Sequence, residues 1–376
     1  MASDLGLIRS TLSEIAEWLD DDSVSEIMLN PSGFHFFERA GELLPLDVVI
    51  PYRRLCTTIE IIAHELGKEC NELNPLLDGR LADGSRIAAM LPPCSPDGPL
   101  LTIRKFPAKR LTLEDLIESG SLPVEVVALI EETLERDENI LISGGTSSGK
   151  TTTLNACASL LPQDSRIVVI EDTKEIQITA PHCVRFEAQP KTEAARAVTI
   201  RDLLKATLRH RPDHIILGEI RSGEAYDLLQ AMNTGHGGSM STIHANSPLL
   251  ALNRLESCVL QARVRLPIDA IRRQIADAIR LVVQVDRKLG RRRVTGVIRL
   301  LGCDERSRYQ TEQLYPEGEA PGDGGGLNYN APAFVPRLIR SFQSLERSQR
   351  RLHPRTSSVL ETAIHKAERK RDRCQE

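Results

Sequence analysis

The chain has 376 residues, of which 41% are hydrophobic and 27% are charged, and this mixture excludes a wholly disordered protein. Its length is enough for two domains of ordinary size. The 48 Lys and Arg residues nearly balance the 52 Asp and Glu residues, which leaves a net charge of −4, and only 3% of the residues are aromatic. Both values argue against nucleic acid as a partner of the whole chain, because such partners favour a basic surface with stacking rings.

The first part of the sequence, residues 1–106, predicts a small α+β domain. Apolar residues at helical spacing predict one helix from Ile8 to Leu19 and a second from Leu55 to Leu66. Four segments rich in apolar and aromatic residues predict strands, namely SEIMLN (25–30), FHFFER (34–39), SRIAAML (85–91) and LLTIRKF (100–106). We interpret residues 107–122 as an interdomain linker with a short helix around Asp115.

The second part, residues 123–315, predicts an α/β domain, because helices alternate with short apolar strands. The strands are NILIS (139–143), RIVVIE (166–171), HIILGEI (214–220) and SMSTIH (239–244), and three more near 280–286, 293–302 and 308–314 close the domain. Helices are predicted at 123–136, after the Gly-rich turn at 144, at 199–209, at 223–232 and in two segments between 252 and 275. The sequence between strand 166–171 and helix 199–209 predicts a loop.

The last part, residues 316–376, begins with a Gly/Pro-rich linker and continues into a basic tail. Residues 334–376 contain eleven Lys or Arg and five Asp or Glu, whereas residues 1–50 contain ten acids and two arginines. The near-neutral total is therefore a cancellation between an acidic beginning and a basic end. We predict a flexible, solvated extension, and docking of this tail to anionic lipid or to an acidic partner is the alternative.

No apolar run approaches the roughly 18–20 residues that span a bilayer. The beginning of the chain, MASDLGLIRS, lacks the pattern of a secretory signal. The eight cysteines are scattered without a C-x-x-C pair, which favours reduced thiols. The sequence therefore predicts a cytoplasmic protein with no transmembrane segment.

The strongest chemical motif is GGTSSGKT at 144–151, which fits the phosphate-binding pattern G-x-x-x-x-G-K-[ST] between a strand and a helix. Glycines let successive backbone N–H groups converge on phosphates, and the following helix adds its positive end. We predict that Lys150 contacts the β- and γ-phosphates of ATP and that Thr151 binds Mg²⁺. The predicted nucleotide-binding residues are Gly144, Gly145, Thr146, Ser147, Ser148, Gly149, Lys150, Thr151 and Thr152. The alternative is an ordinary strand-to-helix turn.

Acidic residues end two of the predicted strands, where carboxylates of parallel sheets lie beside a phosphate loop. Glu219 is our candidate for polarising the attacking water. Glu171 and Asp172 form a second acidic pair, in which Glu171 is a further candidate catalytic residue. The alternative for each is a helix cap or a salt-bridged surface acid.

Two histidines, His236 and His244, flank the strand-like segment SMSTIH. A metal pair is disfavoured because no third ligand lies nearby in sequence. A histidine at a strand end could instead bind the γ-phosphate, and a structural histidine is the alternative.

Six stretches together resemble the type II/IV secretion traffic ATPases, in the order of that family and with closest similarity to the CpaF/TadA branch of Tad pilus assembly. They are DGSRIAAMLPP, DGPLLTIRKF, NILISGGTSSGKTTTLNA, VVIEDTKEI, LRHRPDHIILGEIRSGEAYDLLQAMNTGHGGSMSTIHANSP and RRQIADAIRLVVQV. Ser147 stands where the CpaF branch usually has Gly and where Ser is common in the TrbB-like conjugation branch, a close relative.

The resemblance implies a RecA-like P-loop NTPase motor domain, preceded by a small α+β (PAS-like) domain and assembled into a homo-hexameric ring. It implies an inner-membrane platform protein as partner, so that the chain is cytoplasmic and peripheral at the inner membrane. Its function would be Mg²⁺-dependent ATP hydrolysis that powers a secretion or Tad-type pilus machine. The alternatives are a conjugation-type DNA-transfer ATPase, a nucleotide-gated scaffold with little turnover and, least favoured by charge, a nucleic-acid motor.

The resemblance also assigns residues by position. It implies an acidic box of Glu171, Asp172 and Glu175, a Walker B glutamate at Glu219, and a histidine box containing His236 and His244. Arg86 and Arg104 match arginines that reach the nucleotide from the N-terminal domain or from a neighbouring subunit, and Arg209 and Arg221 match further motif arginines.

Overall fold

The computed structural model describes residues 4–106, 110–189, 196–288 and 290–316. These residues form two β-sheets, one in each predicted domain, and each sheet has its own apolar core. The predicted basic tail lies outside the described residues. Among the described residues, no helix combines the length and the apolar character needed to cross a bilayer.

The N-terminal part is an antiparallel six-stranded sheet packed against helices, which confirms the α+β prediction. Strands β1 to β6 run over Val24–Leu29, His35–Arg39, Glu42–Leu46, Leu76–Arg80, Arg86–Met90 and Leu100–Arg104, in the order β3-β2-β1-β6-β5-β4. Helices α1 to α3 run over Asp4–Thr11, Ala16–Asp20 and Tyr52–Glu65. Helix residues such as Ile8 and Ile59 pack with Ile27 and Ile103 of the sheet, and all four side chains are fully buried.

Two details of this domain differ from the sequence prediction. The single helix expected from Ile8 to Leu19 is wrong, because a 3-10 turn at Ser13–Ile15 separates α1 from α2. The hydroxyl of Thr11 donates to carbonyls one turn back, a bond that bends or ends helices. Strands β3 and β4 were not predicted, and both lie at the edges of the sheet, where the proline in β3 is tolerated.

The second part is an eight-stranded sheet with helices on both faces, which confirms the predicted α/β class. Strands β7 to β14 run over Asn139–Gly144, Ile167–Glu171, Cys183–Glu187, His214–Ile220, Met240–His244, Ile279–Lys288, Arg291–Cys303 and Tyr309–Tyr315. Helices α4 to α10 run over Leu113–Glu118, Val124–Glu135, Lys150–Ala158, Ile200–Thr207, Glu224–Met232, Pro248–Gln261 and Ile268–Ala278. The strand order is β14-β13-β12-β7-β11-β10-β8-β9.

The strands from β12 to β9 pair in parallel, whereas β13 and β14 pair antiparallel at one edge. Every residue of β7 and of β8 is buried, as expected for parallel strands covered on both faces. Strand β9 lies in the segment predicted as a loop. It is a short edge strand whose residues are partly exposed, so it lacks the continuous apolar pattern of its neighbours.

Helix α4 lies within the predicted linker and begins at a capping box formed by Thr112 and Asp115. Its Leu113 and Leu116 are buried in the core of the eight-stranded sheet. The second half of residues 107–122 therefore packs as part of the second domain. The domain boundaries at 106, 122 and 315 stay a prediction.

The order of the parallel strands places four chain segments side by side. The carboxyl ends of β7, β11, β10 and β8 meet at one edge of the sheet, and they end at Gly144, His244, Ile220 and Glu171. Ligands of open parallel sheets bind at this edge. The fold thus gathers the phosphate-loop motif, one histidine and both acidic strand ends.

Candidate active site

The phosphate loop connects β7 to α6, and two of its glycines are required, Gly144 by a close contact and Gly149 by its backbone conformation. A Cβ on Gly144 would lie 2.2 Å from the carbonyl oxygen of Val285, so no side chain fits there. Gly149 has φ +100° and Ser147 has φ +56°, both in the left-handed region. Nothing lies within 4 Å of the Cβ position of Gly145. The loop is thus anchored at its beginning and open beside Gly145.

Lys150, the first residue of α6, is folded onto this loop and is 8% exposed. Its Nζ donates to the carbonyl oxygens of Gly145 at 2.7 Å and Gly144 at 3.2 Å. Burial lowers the pKa of Lys150; the carboxylate of Glu219 opposes this effect, and the charge of Arg104 adds to it. The ammonium therefore stands among charges contributed by both domains.

His244 lies between Lys150 and Glu219. Its Nδ1 is 3.3 Å from Lys150 Nζ, and its Nε2 is 2.6 Å from Glu219 Oε1. Because an ammonium only donates, Nδ1 accepts, and a neutral ring then carries its proton on Nε2. Among the described residues Glu219 Oε1 has no hydrogen-bond partner, so its approach to Nε2 is a charge contact and not an aligned hydrogen bond. Burial, followed by the charge of Lys150, lowers the pKa of His244, although Glu219 acts in the opposite direction. The ring is therefore a neutral bridge between the lysine and the glutamate.

Glu219 is also held from its other side. Arg221 Nε donates to Glu219 Oε2 at 2.7 Å, and Arg221 also donates to Asp172 Oδ2 at 2.9 Å. The Glu219 side chain is 17% exposed. The structure thus brings together Lys150, His244 and Glu219, which were predicted from separate motifs. Both carboxylate oxygens of Glu219 are in contact with a neighbouring side chain.

Glu171 has a different environment from Glu219. It is 5% exposed, and its Oε1 accepts hydrogen bonds of 2.8 Å from the backbone N–H groups of Glu175 and Ile176. Burial raises the pKa of Glu171, although the two N–H donors oppose the rise. This carboxylate fixes the loop after β8, and the catalytic role predicted for it becomes a positioning role in our proposal below.

Arg86 and Arg104 face the site from the N-terminal sheet of the same chain. They are cross-strand partners on β5 and β6. Arg86 forms an ion pair of 3.3 Å with Glu175, and Arg104 lies close enough to lower the pKa of Lys150. The structure therefore places both predicted arginines on the side of the phosphate loop, together with the acidic box.

Two predicted residues are not brought to this edge. His236 precedes β11 and Arg209 precedes β10, so both lie at the amino ends of these strands, away from the phosphate loop. His236 Nδ1 is 3.0 Å from the carbonyl oxygen of Ala231, a contact typical of a structural histidine. Arg209 is exposed. Within one chain, neither residue belongs to the cluster around Lys150.

Thr151 and Thr152, which were predicted to bind Mg²⁺ and nucleotide, occupy the first turn of α6 directly behind Lys150. Both residues are partly exposed. The hydroxyl oxygen of Ser148 is buried without a hydrogen-bond partner among the described residues. A buried hydroxyl of this kind requires a partner, and an anion held by the loop would provide one.

Sequence reasoning missed Arg292. Its Nε donates to the carbonyl oxygen of Ser147 at 3.0 Å, and its NH2 forms an ion pair of 3.2 Å with Glu38. The run Arg291-Arg292-Arg293 was the available signal, but nothing in it separates the middle residue from its neighbours.

Residues 11–313 match the sequence pattern of the family described as type II/IV secretion system protein. The chain belongs to this family. The match spans both sheets and all the strand ends described above, and it confirms the resemblance at the level of the family. The CpaF/TadA branch stays a prediction.

Two relatives and one solved structure show what this chain is similar to. The conjugal transfer protein TrbB of Rhizobium radiobacter is 38% identical over 298 residues, which cover 78% of this chain and 88% of the relative. The type IV secretion system protein VirB11 of Brucella suis is 32% identical over 303 residues, covering 73% and 84%. The solved structure of the Legionella pneumophila ATPase DotB has a TM-score of 0.53 at 19% identity and covers 81% and 82%. This last likeness shows a shared fold alone.

Proposed function

We propose that this secretion-family chain binds ATP and hydrolyses it. The observation that carries the proposal is the bridge from Lys150 through His244 to Glu219 at the carboxyl ends of neighbouring strands. Lysine is the phosphate ligand of the loop motif, and a carboxylate is the group that orients a water for attack. The bridge places these two groups one imidazole apart.

The residues present fit a magnesium nucleotide. The open space beside Gly145, the unpartnered hydroxyl of Ser148 and the beginning of α6 all suit an anion. Lys150 would exchange the carbonyls of Gly144 and Gly145 for phosphate oxygens. Thr151 would hold Mg²⁺, which neutralises phosphate charge when bound.

The contacts of Glu219 indicate what must move during hydrolysis. One of its oxygens lies against His244 and the other against Arg221. Among the described residues Oε1 has no hydrogen-bond partner but is buried, and Oε2 accepts from Arg221, so Glu219 must uncover Oε1 or exchange the bond to Arg221 before it accepts a proton or a hydrogen bond from water. A γ-phosphate that attracts the Nε2–H of His244 or the guanidinium of Arg221 would release that oxygen, so that the base becomes available when nucleotide is bound.

Two arginines of the N-terminal sheet belong to the proposed nucleotide site. Arg86 and Arg104 carry positive charge toward the phosphate loop, where they would neutralise charge that develops on the phosphates. Glu171 would act through the loop that it fixes, which carries Asp172 and Glu175. His236 and Arg209 lie too far along the sheet to act on the same nucleotide, and we propose that they serve packing or a neighbouring subunit.

We further propose that the chain acts as a homo-hexamer on the cytoplasmic side of an inner membrane, held there by a membrane platform protein. Membership in the secretion family supports this assignment. The name of the TrbB relative favours a conjugation-type secretion machine over the Tad pilus machine that the sequence resemblance implied. Affinity purification of the tagged chain from membranes tests this choice: a conjugation-channel protein supports it, and a pilus platform protein contradicts it.

The hydrolysis itself is tested by phosphate release from the purified full chain with Mg²⁺ and ATP. Wild-type protein should release phosphate, and Lys150→Ala should lose both nucleotide binding and release. Lys205→Ala is the control, because Lys205 is an exposed lysine on α7, away from the loop. Equal release by Lys150→Ala and wild type would overturn the proposed site, and a wild type that binds ATP without turnover would favour the scaffold alternative.

A further inference from the structure

Arg292 lies on the outer side of the phosphate loop and contacts it in two ways. Its Nε donates to the carbonyl oxygen of Ser147 at 3.0 Å. Its Cδ lies 3.3 Å from the position that a Cβ on Gly149 would occupy, so the side chain covers the loop where α6 begins. The residue comes from β13, on the far side of β12 from the phosphate-loop strand.

The hydrogen bond to Ser147 determines which way one peptide of the loop faces. Ser147 has φ +56°, a conformation that costs a non-glycine residue free energy and therefore needs an outside contact to hold it. The peptide group is planar, so the N–H of Ser148 points away from the carbonyl that Arg292 binds. A phosphate cradle needs N–H groups turned inward and carbonyls turned outward. The hydrogen bond from Arg292 holds this peptide with the Ser147 carbonyl turned outward and the Ser148 N–H turned inward.

The same guanidinium also binds the N-terminal domain. Arg292 NH2 is 3.2 Å from Glu38 Oε1, and Arg287 NH1 is 3.1 Å from Glu38 Oε2. The Glu38 side chain is 13% exposed, and the hydroxyl of Ser25 donates to its Oε1 at 3.1 Å. Glu38 stands on β2, so one carboxylate of the first sheet joins two arginines of the second.

Glu38 reduces the repulsion between two arginines of the second domain. Arg287 and Arg292 are directly opposite each other on β12 and β13, and like charges at such positions repel. With Glu38 between them, each guanidinium has one carboxylate oxygen as its partner, and the single negative charge of Glu38 offsets part of their repulsion. Without it, repulsion favours turning the partly exposed Arg292 toward solvent and away from Ser147.

We propose that Arg292 is a positioning residue that holds the phosphate loop ready for nucleotide while the N-terminal domain is docked through Glu38. Nucleotide affinity then depends on domain docking, and by linkage bound nucleotide strengthens docking. Glu38 acts on the nucleotide without touching it. This inference rests on the proposed function, because it assumes that the loop binds nucleotide.

The test measures the affinity of the full chain for Mg-ADP by calorimetry, together with KM and kcat for ATP. Two variants weaken the link from opposite ends. Arg292→Lys keeps the charge but replaces the planar guanidinium, whose Nε and NH2 bind Ser147 and Glu38 separately, with one nitrogen on a different stem. Glu38→Gln keeps the shape but loses the charge. Each should weaken Mg-ADP binding roughly tenfold and raise KM, with kcat at saturating ATP retained. Arg291→Ala, an exposed arginine on the same hairpin, is the control and should bind as wild type.

The double variant separates a link from two independent losses of stability. If Glu38 acts through Arg292, the double variant should bind Mg-ADP no more weakly than Arg292→Lys alone. Thermal unfolding of each variant checks that the chain remains folded. Wild-type affinity in Glu38→Gln, or additive losses in the double variant, would overturn the inference while leaving the proposed function intact. Absence of Mg-ADP binding by the wild type would overturn both.

Discussion

Glu219 Oε1 and His244 Nε2 are 2.6 Å apart, at the ends of two neighbouring parallel strands. The other nitrogen of the same ring reaches Lys150. The imidazole therefore contacts both the cation that would bind phosphate and the carboxylate that would bind water. This arrangement makes the charge state of His244 the most direct report on the state of the site.

The pKa of His244 should lie below its ordinary value of 6.5, because burial and the positive charges of Lys150, Arg221 and Arg254 outweigh the carboxylate of Glu219. Lys150→Ala removes one positive charge and should raise this pKa, whereas Glu219→Gln should lower it further. NMR titration of the ring carbon protons measures both shifts. Shifts of the opposite sign would mean that the bridge does not exist in solution.

The same pKa has a consequence for stability. Because the folded state resists protonation of His244, the unfolded state takes up this proton first as pH falls below 6.5. The free energy of unfolding should therefore decrease as pH falls from 6.5 through the lowered folded pKa. His244→Asn should lose this component. Urea titrations of both proteins at several pH values measure the difference, and identical pH profiles would contradict it.

Glu171 should be a positioning residue and not a chemical one. Glu171→Gln keeps an oxygen that accepts the N–H groups of Glu175 and Ile176, so ATP hydrolysis should stay within about tenfold of wild type. Glu171→Ala leaves both donors unsatisfied and should cost about 1–3 kcal/mol of unfolding free energy together with most activity. Phosphate release and urea unfolding measure the pair. Equal loss of activity in both variants would assign chemistry to the carboxylate itself.

Gly144 and Gly145, the first two residues of the phosphate loop, should differ in how much an alanine substitution destabilises the protein. Gly144→Ala places a Cβ against the Val285 carbonyl and should lower the free energy of unfolding by about 1–3 kcal/mol or more. Gly145→Ala meets open space and should change it by less than about 1 kcal/mol. Urea unfolding compares them directly. Equal destabilisation by the two substitutions would show that the loop is not anchored on β12.

Arg86 and Arg80 offer a matched pair, because each joins the two sheets through one ion pair. Arg86 contacts Glu175 beside the phosphate loop, and Arg80 contacts Glu187 on the edge strand β9. Arg86→Ala should slow ATP hydrolysis by roughly 10³-fold if its charge acts on phosphate. Arg80→Ala should leave the rate near wild type. Similar rates for the two variants would reduce Arg86 to an ordinary interdomain contact.

The sequence predicts the strand ends of the site well, and physical reasons explain this. A phosphate loop has strict backbone demands, and buried parallel strands are continuous apolar runs, so Lys150, Glu219 and His244 could be placed at one edge before the structure was known. The strands that were missed, β3, β4 and β9, are all edge strands. Edge strands are partly exposed and accept residues such as Pro45 and Gly79, so their pattern is weak.

Arg292 and His236 show the opposite limits of sequence reasoning. Arg292 contacts a backbone carbonyl 145 positions away, and a backbone acceptor leaves no side-chain pattern to read. His236 shares a motif with His244, but a strand separates the two, and a strand carries its ends to opposite edges of the sheet. His236 is close to His244 in sequence but lies at the other edge of the sheet. Arg292 is far from the phosphate loop in sequence but is in contact with it.

If Glu219 activates water for ATP hydrolysis, its loss should separate nucleotide binding from turnover. Mg-ATP binding and phosphate release are measured side by side on wild type, Glu219→Gln and the control Glu125→Gln, an exposed acid on α5. Glu219→Gln should bind Mg-ATP about as tightly as wild type but should release phosphate roughly 10²- to 10⁴-fold more slowly. Glu125→Gln should match wild type in both. Phosphate release by Glu219→Gln at the wild-type rate would show that Glu219 does not activate the water.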